Sequence, residues 1–200
     1  MSDISISVVI PMRNEAGNIG PLIDGIEAAL AREPGREFLV VDDGSTDAAP
    51  SEVRARMDHL PHLRLIRHEA SGGQSAAVHS GVLAARGRLI CTLDGDGQNP
   101  PEELPRLIAR QRETGATLVA GQRTGRQDTL SKKLASRLAN GIRGWALNDG
   151  TRDTGCGLKC FQREAFLALP YFNHMHRYLP ALIKSAGGTI AHLDVSHRPR

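Results

Sequence analysis

The hydrophobic and polar positions of the first 120 residues follow two alternating patterns. Short runs rich in Val, Ile and Leu are typical of buried strands. They are separated by stretches whose apolar residues recur every three or four positions, as in amphipathic helices. The runs predict strands at residues 4–10, 37–41, 63–67, 88–93 and 116–120. The stretches between them predict helices at about 18–32, 47–60, 75–85 and 101–114, with Asp47 able to cap the second.

This alternation predicts an α/β domain with a mostly parallel central sheet and helices on both faces. Ligands of such sheets bind at the carboxyl ends of the strands. The polar, glycine-rich or acidic clusters of this chain follow the strands, in agreement with that rule. They lie at residues 13–15, 42–45, 94–98 and 122–123.

The pattern changes in the last third of the chain. Residues 129–147 predict one long helix with an apolar stripe and several cations. Residues 152–161 are rich in turn formers and end in a short strand. Helices at about 162–168 and 173–186 and a strand at 189–195 follow. Neither an interdomain linker nor an internal repeat is present, so the sequence predicts a single domain.

Composition excludes several classes of protein. Apolar residues make up 40% and charged residues 24%, as in ordinary globular domains. The net charge of +3 does not demand a nucleic acid, and 4% aromatic residues offer few surfaces for base stacking. No apolar run approaches the roughly 20 residues of a membrane span. Three cysteines without zinc spacing and an N-terminus unlike a signal peptide favour the cytoplasm.

The most informative cluster is acidic. Asp94 and Asp96 follow the fourth predicted strand, and Gln98 adds an amide oxygen two residues later. Oxygen ligands at this spacing can share one hard cation with a nucleotide diphosphate. For an isolated pair of this kind, a solvated acidic turn is the alternative interpretation.

Two further clusters are compatible with nucleotide chemistry. Asp43 could accept hydrogen bonds from a base N–H or a ribose hydroxyl, while later residues of the same cluster cap a helix. Residues 72–75, Gly-Gly-Gln-Ser, open a predicted helix and are similar to a small phosphate-binding turn. They lack the lysine and spacing of a P-loop, and no G-x-G-x-x-G follows the first strand. Kinase, GTPase and dinucleotide functions are therefore not favoured.

Taken in order, seven segments resemble glycosyltransferase family 2, in the branch of dolichol-phosphate mannosyltransferase and other polyprenyl-phosphate sugar transferases. They are VVIPMRNEAGNI, VVDDGSTD, GGQSAAVHSG, LDGDGQNPPEE, GQRTGRQD, DTGCGLKCF and HRPR. The resemblance implies a nucleotide-diphospho-sugar transferase (GT-A-like) fold in one domain over residues 1–200. It also implies a metal-dependent, inverting transfer of a sugar from a nucleotide sugar to a polyprenyl phosphate in cell-envelope glycan synthesis, with Mg²⁺ or Mn²⁺ as cofactor.

Roles for individual residues also come from the resemblance. Asp94, Asp96, Arg123 and Asp153 would form the catalytic set, and Asp94, Asp96 and Gln98 the metal ligands. The nucleotide sugar would contact Pro11, Arg13, Glu15, Asp43, Asp94, Asp96 and Arg123. The acceptor phosphate would contact Lys132, Lys133, Lys159, Arg177 and Arg198.

This chain departs from the family pattern at several points. Arg13 stands where the family often has an aromatic residue, and glycines replace the usual Ala and Leu of D-A-D-L-Q. Asp153 is the obvious carboxylate of the acceptor-side motif. We expect it to orient a cation or the sugar, whereas an enzyme with a hydroxyl acceptor would use it as the general base.

Two alternatives to this function stay open. One is a family 2 transferase that acts on a saccharide hydroxyl. The other is a catalytically impaired short member, because the membrane-proximal segment that follows HRPR in many relatives is missing from the sequence. We expect peripheral membrane contact through the basic helix predicted at 129–147. The nucleotide, the sugar, the acceptor lipid and the oligomeric state stay open.

Overall fold

The computed structural model describes residues 4–123, 151 and 153–198. Within these ranges the strands are β1 (Ile6–Met12), β2 (Arg36–Asp42), β3 (Leu63–Arg67), β4 (Leu89–Thr92), β5 (Leu118–Arg123), β6 (Lys159–Gln162) and β7 (Ile190–Val195). The helices are α1 (Ile19–Ala29), α2 (Ala49–Met57), α3 (Gln74–Ala84), α4 (Glu103–Thr114), α5 (Arg163–Leu167) and α6 (Met175–Ser185). The helix predicted at 129–147 lies outside the described residues.

All seven strands form one sheet in the order β3-β2-β1-β4-β6-β5-β7. The pairs β1–β2, β1–β4, β2–β3 and β5–β7 are parallel. β6 runs antiparallel to both of its neighbours, β4 and β5. The predicted α/β architecture with a mostly parallel sheet is therefore confirmed.

Helices cover both faces of the sheet. Successive strand residues point to opposite faces, so β1, which is buried along its whole length, contributes to two hydrophobic cores. Val8 belongs to the core beneath α1, α2 and α4. Val9 belongs to the core beneath α3, α5 and α6.

β1 ends at Met12, two residues beyond the strand predicted at 4–10. Pro11 lies inside the strand and pairs with Val41 of β2. Its carbonyl faces the opposite neighbour and accepts a hydrogen bond from Gly95 N–H at 3.2 Å. Proline has no N–H, and in another residue at this position the N–H would point to the same side as the carbonyl. On that side the pairing of β1 with β4 has already ended at Thr92. The proline therefore costs the sheet no ladder hydrogen bond.

The start of α2 also differs in detail from the prediction. Its N-cap is Ala48 rather than Asp47. Asp47 still accepts a hydrogen bond from the N–H of Ala49, at 3.0 Å, and its second oxygen accepts one from Ala16 N–H at 2.9 Å. The carboxylate thus joins the helix to the loop that follows β1.

The carboxylate of Asp43 connects the end of β2 to the turn before α3. Its Oδ1 accepts hydrogen bonds from His68 Nδ1 and Gly72 N–H, both at 2.8 Å. Its Oδ2 accepts from Ser71 Oγ at 2.6 Å and from Gly73 N–H at 2.8 Å. Gly73 has φ +85°, a conformation that favours glycine.

These contacts change the interpretation of residues 72–75. The N–H groups of Gly72 and Gly73 bind a carboxylate of the chain itself, so they do not form the phosphate-binding turn that the sequence suggested. A carboxylate has about four lone-pair positions. The four hydrogen bonds of Asp43 use them, so its predicted contact with a base or ribose requires one of these bonds to be given up.

Replacement of Asp43 should make stability depend differently on pH. Burial alone would raise the pKa of Asp43, but its hydrogen bonds outweigh that effect and lower the pKa from 3.8 to about 2. The ionised group therefore stabilises the fold above pH 4, and this contribution is lost as pH falls towards 2. We expect Asp43→Asn to lower the unfolding free energy at pH 7 by about 1–2 kcal/mol, after allowance for solvent screening.

Denaturant titrations at several pH values would measure this effect. The difference in unfolding free energy between wild type and Asp43→Asn should shrink between pH 4 and pH 2. Asp58→Asn, at an exposed carboxylate just after α2, is the control and should change stability little. A difference for Asp43→Asn that stays constant over this pH range would contradict the assignment.

Candidate functional site

The carboxyl ends of β1, β2 and β4 meet at one edge of the sheet and border a cleft of about 400 Å³. This is where a parallel sheet is expected to bind its ligand. The cleft brings together six residues to which the sequence assigned nucleotide or metal contacts. They are Pro11, Arg13, Glu15, Asp43, Asp94 and Asp96.

Asp94 is held in place from two sides. Its Oδ1 accepts a hydrogen bond from Gln74 Nε2 at 2.6 Å, and its Oδ2 accepts one from Asn99 Nδ2 at 3.3 Å. Burial raises the pKa of Asp94, although the ammonium group of Lys159 acts in the opposite direction. Gln74 is the first residue of α3, so the start of that helix positions this carboxylate.

Asp96 lies on the same loop and is half-buried. Its Oδ1 accepts a hydrogen bond from the backbone N–H of Gln98 at 3.1 Å, which folds the loop back on itself. Gly95 N–H donates to the carbonyl of Pro11, and this bond anchors the loop to β1. The loop therefore presents two carboxylates at the cleft from a backbone that is tied to the sheet.

The side chains of this loop suit a hard divalent cation. The described residues contain no cluster of three or more His, Cys, Asp or Glu side chains that could enclose a metal by themselves. Asp94, Asp96 and Gln98 instead supply two carboxylates and an amide. Mg²⁺ is typically held by one or two carboxylates together with substrate phosphates. The donor set fits a metal that is shared with a diphosphate.

Arg123 and Asp153 form a two-point ion pair. Arg123 Nε lies 2.6 Å from Asp153 Oδ2, and its terminal Nη2 lies 2.8 Å from Oδ1. Both side chains are largely buried, and the hydrogen bonds that Arg123 donates to Asp153 raise the pKa of Arg123. This geometry fixes the plane of the guanidinium group at the end of β5.

Three of the cationic residues that were predicted to bind the acceptor phosphate are among the described residues, and they lie in two places. Lys159 and Arg177 line a small cavity of about 60 Å³ that shares Asp94 and Gln74 with the cleft of about 400 Å³. Arg198 lies elsewhere: its guanidinium contacts the Glu102 carboxylate at 3.0 and 3.1 Å. Its backbone N–H donates to the carbonyl of Gln98, so it supports the acidic loop. Lys132 and Lys133 lie outside the described residues.

Lys159 differs from a typical phosphate-binding lysine. It is buried in β6, and its ammonium group donates a hydrogen bond to the carbonyl of Cys156. Burial lowers its pKa, while the nearby Asp94 carboxylate acts in the opposite direction. Its charge therefore acts within the floor of the site rather than at its surface.

His176 belongs to this site but was not singled out from the sequence. Its Nδ1 lies 2.6 Å from Ser75 Oγ, a contact that joins the first turn of α6 to the first turn of α3. Burial lowers its pKa to about 4, and the charges of Lys159 and Arg177 act in the same direction. The ring is therefore neutral at pH 7. A feature of the sequence that could have indicated His176 is that it directly precedes Arg177, which was predicted to bind phosphate.

No helix among the described residues is long and apolar enough to cross a membrane.

Solved structures with the same fold include two glycosyltransferases. Mannosyl-3-phosphoglycerate synthase from Rubrobacter xylanophilus superposes with a TM-score of 0.81 at 20% identity, over 98% of this chain and 68% of that one. A mannosyltransferase from Pyrobaculum calidifontis, solved with GDP-Man and Mn²⁺, has a TM-score of 0.73 at 20% identity, over 99% of this chain and 56% of that one. At these identities the likeness confirms the predicted GT-A-like fold.

Curated relatives are more similar in sequence. Dodecaprenyl-phosphate galacturonate synthase from Rhizobium johnstonii is 33% identical over 100% of this chain and 61% of its own length. Undecaprenyl-phosphate 4-deoxy-4-formamido-L-arabinose transferase from Photorhabdus laumondii is 34% identical over 98% of this chain and 60% of its own. The chain thus spans about three fifths of the length of these relatives.

The model of the family Glycosyl transferase family 2 matches residues 7–169, which include the acidic loop, Arg123 and Asp153. Since this match covers most of the chain, and the relatives align with nearly all of it, the chain belongs to glycosyltransferase family 2.

Proposed function

We propose that this chain transfers a sugar from a nucleotide sugar to a polyprenyl phosphate, with inversion at the anomeric carbon. The names of the relatives, which contain dodecaprenyl phosphate and undecaprenyl phosphate, support this acceptor class. The observation that carries the proposal is the ion pair between Arg123 and Asp153. In this ion pair Arg123 binds the carboxylate of Asp153, which a hydroxyl acceptor would need as its general base.

The chemistry of a phosphate acceptor removes the need for that base. A phosphate monoester has its second pKa near ~6 and is largely dianionic at pH 7. One of its oxygens can attack the anomeric carbon directly, while the bond to the nucleoside diphosphate breaks on the opposite face. The protein then has to hold the two reactants in line, which is a task of positioning.

The residues of the site divide this task between donor and acceptor. Arg123, which Asp153 orients, would bind the donor phosphates, where negative charge grows during the reaction. Arg177 and Lys159 provide positive charge on the other side of Asp94. When bound at Asp94, Asp96 and Gln98, Mg²⁺ or Mn²⁺ would neutralise charge on the leaving diphosphate.

The proposed place of action follows from the acceptor. A polyprenyl phosphate is anchored in a membrane by its lipid chain, while nucleotide sugars are dissolved in the cytoplasm. The chain would therefore work at the cytoplasmic face of the membrane, in peripheral contact with it.

An acceptor panel tests the proposal. Nucleotide release from GDP-mannose, UDP-glucose, UDP-N-acetylglucosamine, UDP-galacturonate and UDP-linked aminoarabinose derivatives is measured with a short polyprenyl phosphate or with free saccharides. We expect release with the polyprenyl phosphate, loss of release in excess chelator, and recovery with Mg²⁺ or Mn²⁺. Asp96→Asn should lower the rate at least ~100-fold, about 2.7 kcal/mol of barrier.

Two outcomes of this panel would count against the proposal. Release with saccharides but not with polyprenyl phosphate would favour the hydroxyl-acceptor alternative. A chain that binds none of the nucleotide sugars, measured as the absence of a metal-dependent shift in melting temperature, would favour an impaired family member.

Asp153→Asn tests whether Asp153 is a base or a positioning residue. The variant loses the two-point ion pair with Arg123, so we expect a slower reaction that is not abolished. The pH–rate profile should keep the inflection near ~6 that comes from the acceptor phosphate. Arg123→Lys is the companion variant. It keeps the positive charge but loses the guanidinium group that makes two parallel hydrogen bonds, so it should be impaired in the same way. Loss of both activity and inflection in Asp153→Asn would assign it as the base.

Close packing around Asp94 yields a further prediction. Gly157 lies directly against this carboxylate, because a Cβ atom added at Gly157 would collide with Asp94 Oδ2. Gly157→Ala should therefore displace Asp94 and lower the turnover rate at least ~10-fold.

Gly155→Ala, in the same turn, is the matched control. Its Cβ would stand 3.3 Å from a terminal nitrogen of Arg123, a contact that a shift of a few tenths of an ångström relieves, so the loss of turnover should be much smaller. Melting temperatures of both variants would show whether the fold is retained. Equal turnover of the two alanine variants would contradict the proposed role of Gly157.

A further inference from the structure

Exposed aromatic side chains are concentrated in one region of this molecule. Both tyrosines of the chain, Tyr171 and Tyr178, are exposed, at 48% and 42%, and so is Phe172, at 38%. Among the described residues these are the exposed aromatic side chains, since Phe38, Phe161 and Phe166 are fully buried. The ring centroids of Phe172 and Tyr178 are 6.2 Å apart. We call Tyr171, Phe172 and Tyr178 the aromatic patch.

The aromatic patch borders the acceptor side of the site. Phe172 and Tyr178 lie before and within the first turns of α6, the helix that carries His176 and Arg177. His176 is joined to Ser75 at the start of α3, and Arg177 lines the small cavity that includes Asp94. If a lipid phosphate approached across the patch, its phosphate group would therefore reach the cavity.

The segment that carries the patch is positive or neutral. From residue 165 to residue 193 the sequence contains no Asp or Glu, while Arg177 and Lys184 lie on α6 itself. Anionic lipids attract such a segment, and aromatic side chains favour the headgroup level of a bilayer. A second copy of the chain is a poorer fit, because a symmetric contact would place this segment, which has no acidic residue, against itself.

We propose that the aromatic patch is the surface by which this chain contacts an anionic membrane, with Phe172 and Tyr178 seated among the lipid headgroups. Its role in delivering the acceptor phosphate rests on the proposed function, but the membrane contact can be measured without it. This surface is distinct from residues 129–147, to which the sequence assigned membrane contact and which lie outside the described residues.

Vesicle co-sedimentation tests the proposal. The 200-residue chain is mixed with vesicles of phosphatidylglycerol and phosphatidylcholine, or of phosphatidylcholine alone. We expect binding to the anionic vesicles that weakens as salt is added. The double variant Phe172→Ser with Tyr178→Ser should bind them at least ~10-fold more weakly, because it removes the apolar area that enters the headgroup layer.

Met57→Ser is the matched control. Met57 is 37% exposed, nearly the same as Phe172, but it lies on α2, which packs on the opposite face of the sheet. This variant should bind vesicles within ~2-fold of wild type. Circular dichroism and melting temperature would verify that both variants keep the fold.

The outcomes separate this proposal from the proposed function. Wild-type chain that binds vesicles through the patch but transfers no sugar would leave the membrane surface standing and overturn the function. With a water-soluble short-chain acceptor, the double variant should turn over at the wild-type rate. Absence of vesicle binding by wild type, or equal binding by the double variant, would overturn the membrane surface. The membrane surface would also be overturned if light scattering showed that wild type is a dimer and that the double variant is a monomer.

Discussion

The hydrogen bonds accepted by Asp43 hold the start of α3 against the end of β2, and the geometry of the site depends on where that helix starts. The first residue of α3, Gln74, donates to Asp94. The second, Ser75, contacts His176 at the start of α6. A buried carboxylate without donors would be costly, so the turn before α3 adopts the conformation that supplies them. One carboxylate thus helps to position both the acidic loop and the start of α6.

Several charges in and next to the site are paired. Arg123 is matched by Asp153, and Arg198 by Glu102. Lys159 is buried near Asp94 and bound to a carbonyl oxygen. Such pairing holds long side chains in single orientations, which suits the proposed transfer, whose main demand would be to align two phosphate-bearing substrates. It also agrees with the proposal that no carboxylate of the site serves as a general base.

On the proposed function, the aromatic patch would extend this arrangement towards the membrane. The proposed donor and acceptor would arrive from different phases, one from water and one from lipid. The cleft opens beside Arg13 and Glu15, whereas the patch borders Arg177. Asp94 and Gln74 lie between the two regions, since they line both the cleft and the small cavity. Each proposed substrate would thus reach the acidic loop from its own side.

The sequence alone was sufficient for the fold class, the order of the elements before residue 123, and the family. These follow from local hydrophobic periodicity and from motifs that are contiguous in the chain. It also marked Asp94, Asp96 and Asp43 as neighbours, because the carboxyl ends of parallel strands share one edge. Tertiary structure alone decided which polar groups bind one another: that Asp43 binds the Gly-Gly turn, that Asp153 holds Arg123, and that Arg198 supports the acidic loop rather than the small cavity. The physical reason is that such contacts join residues 29 to 100 positions apart, and their geometry is set by how helices pack on the sheet.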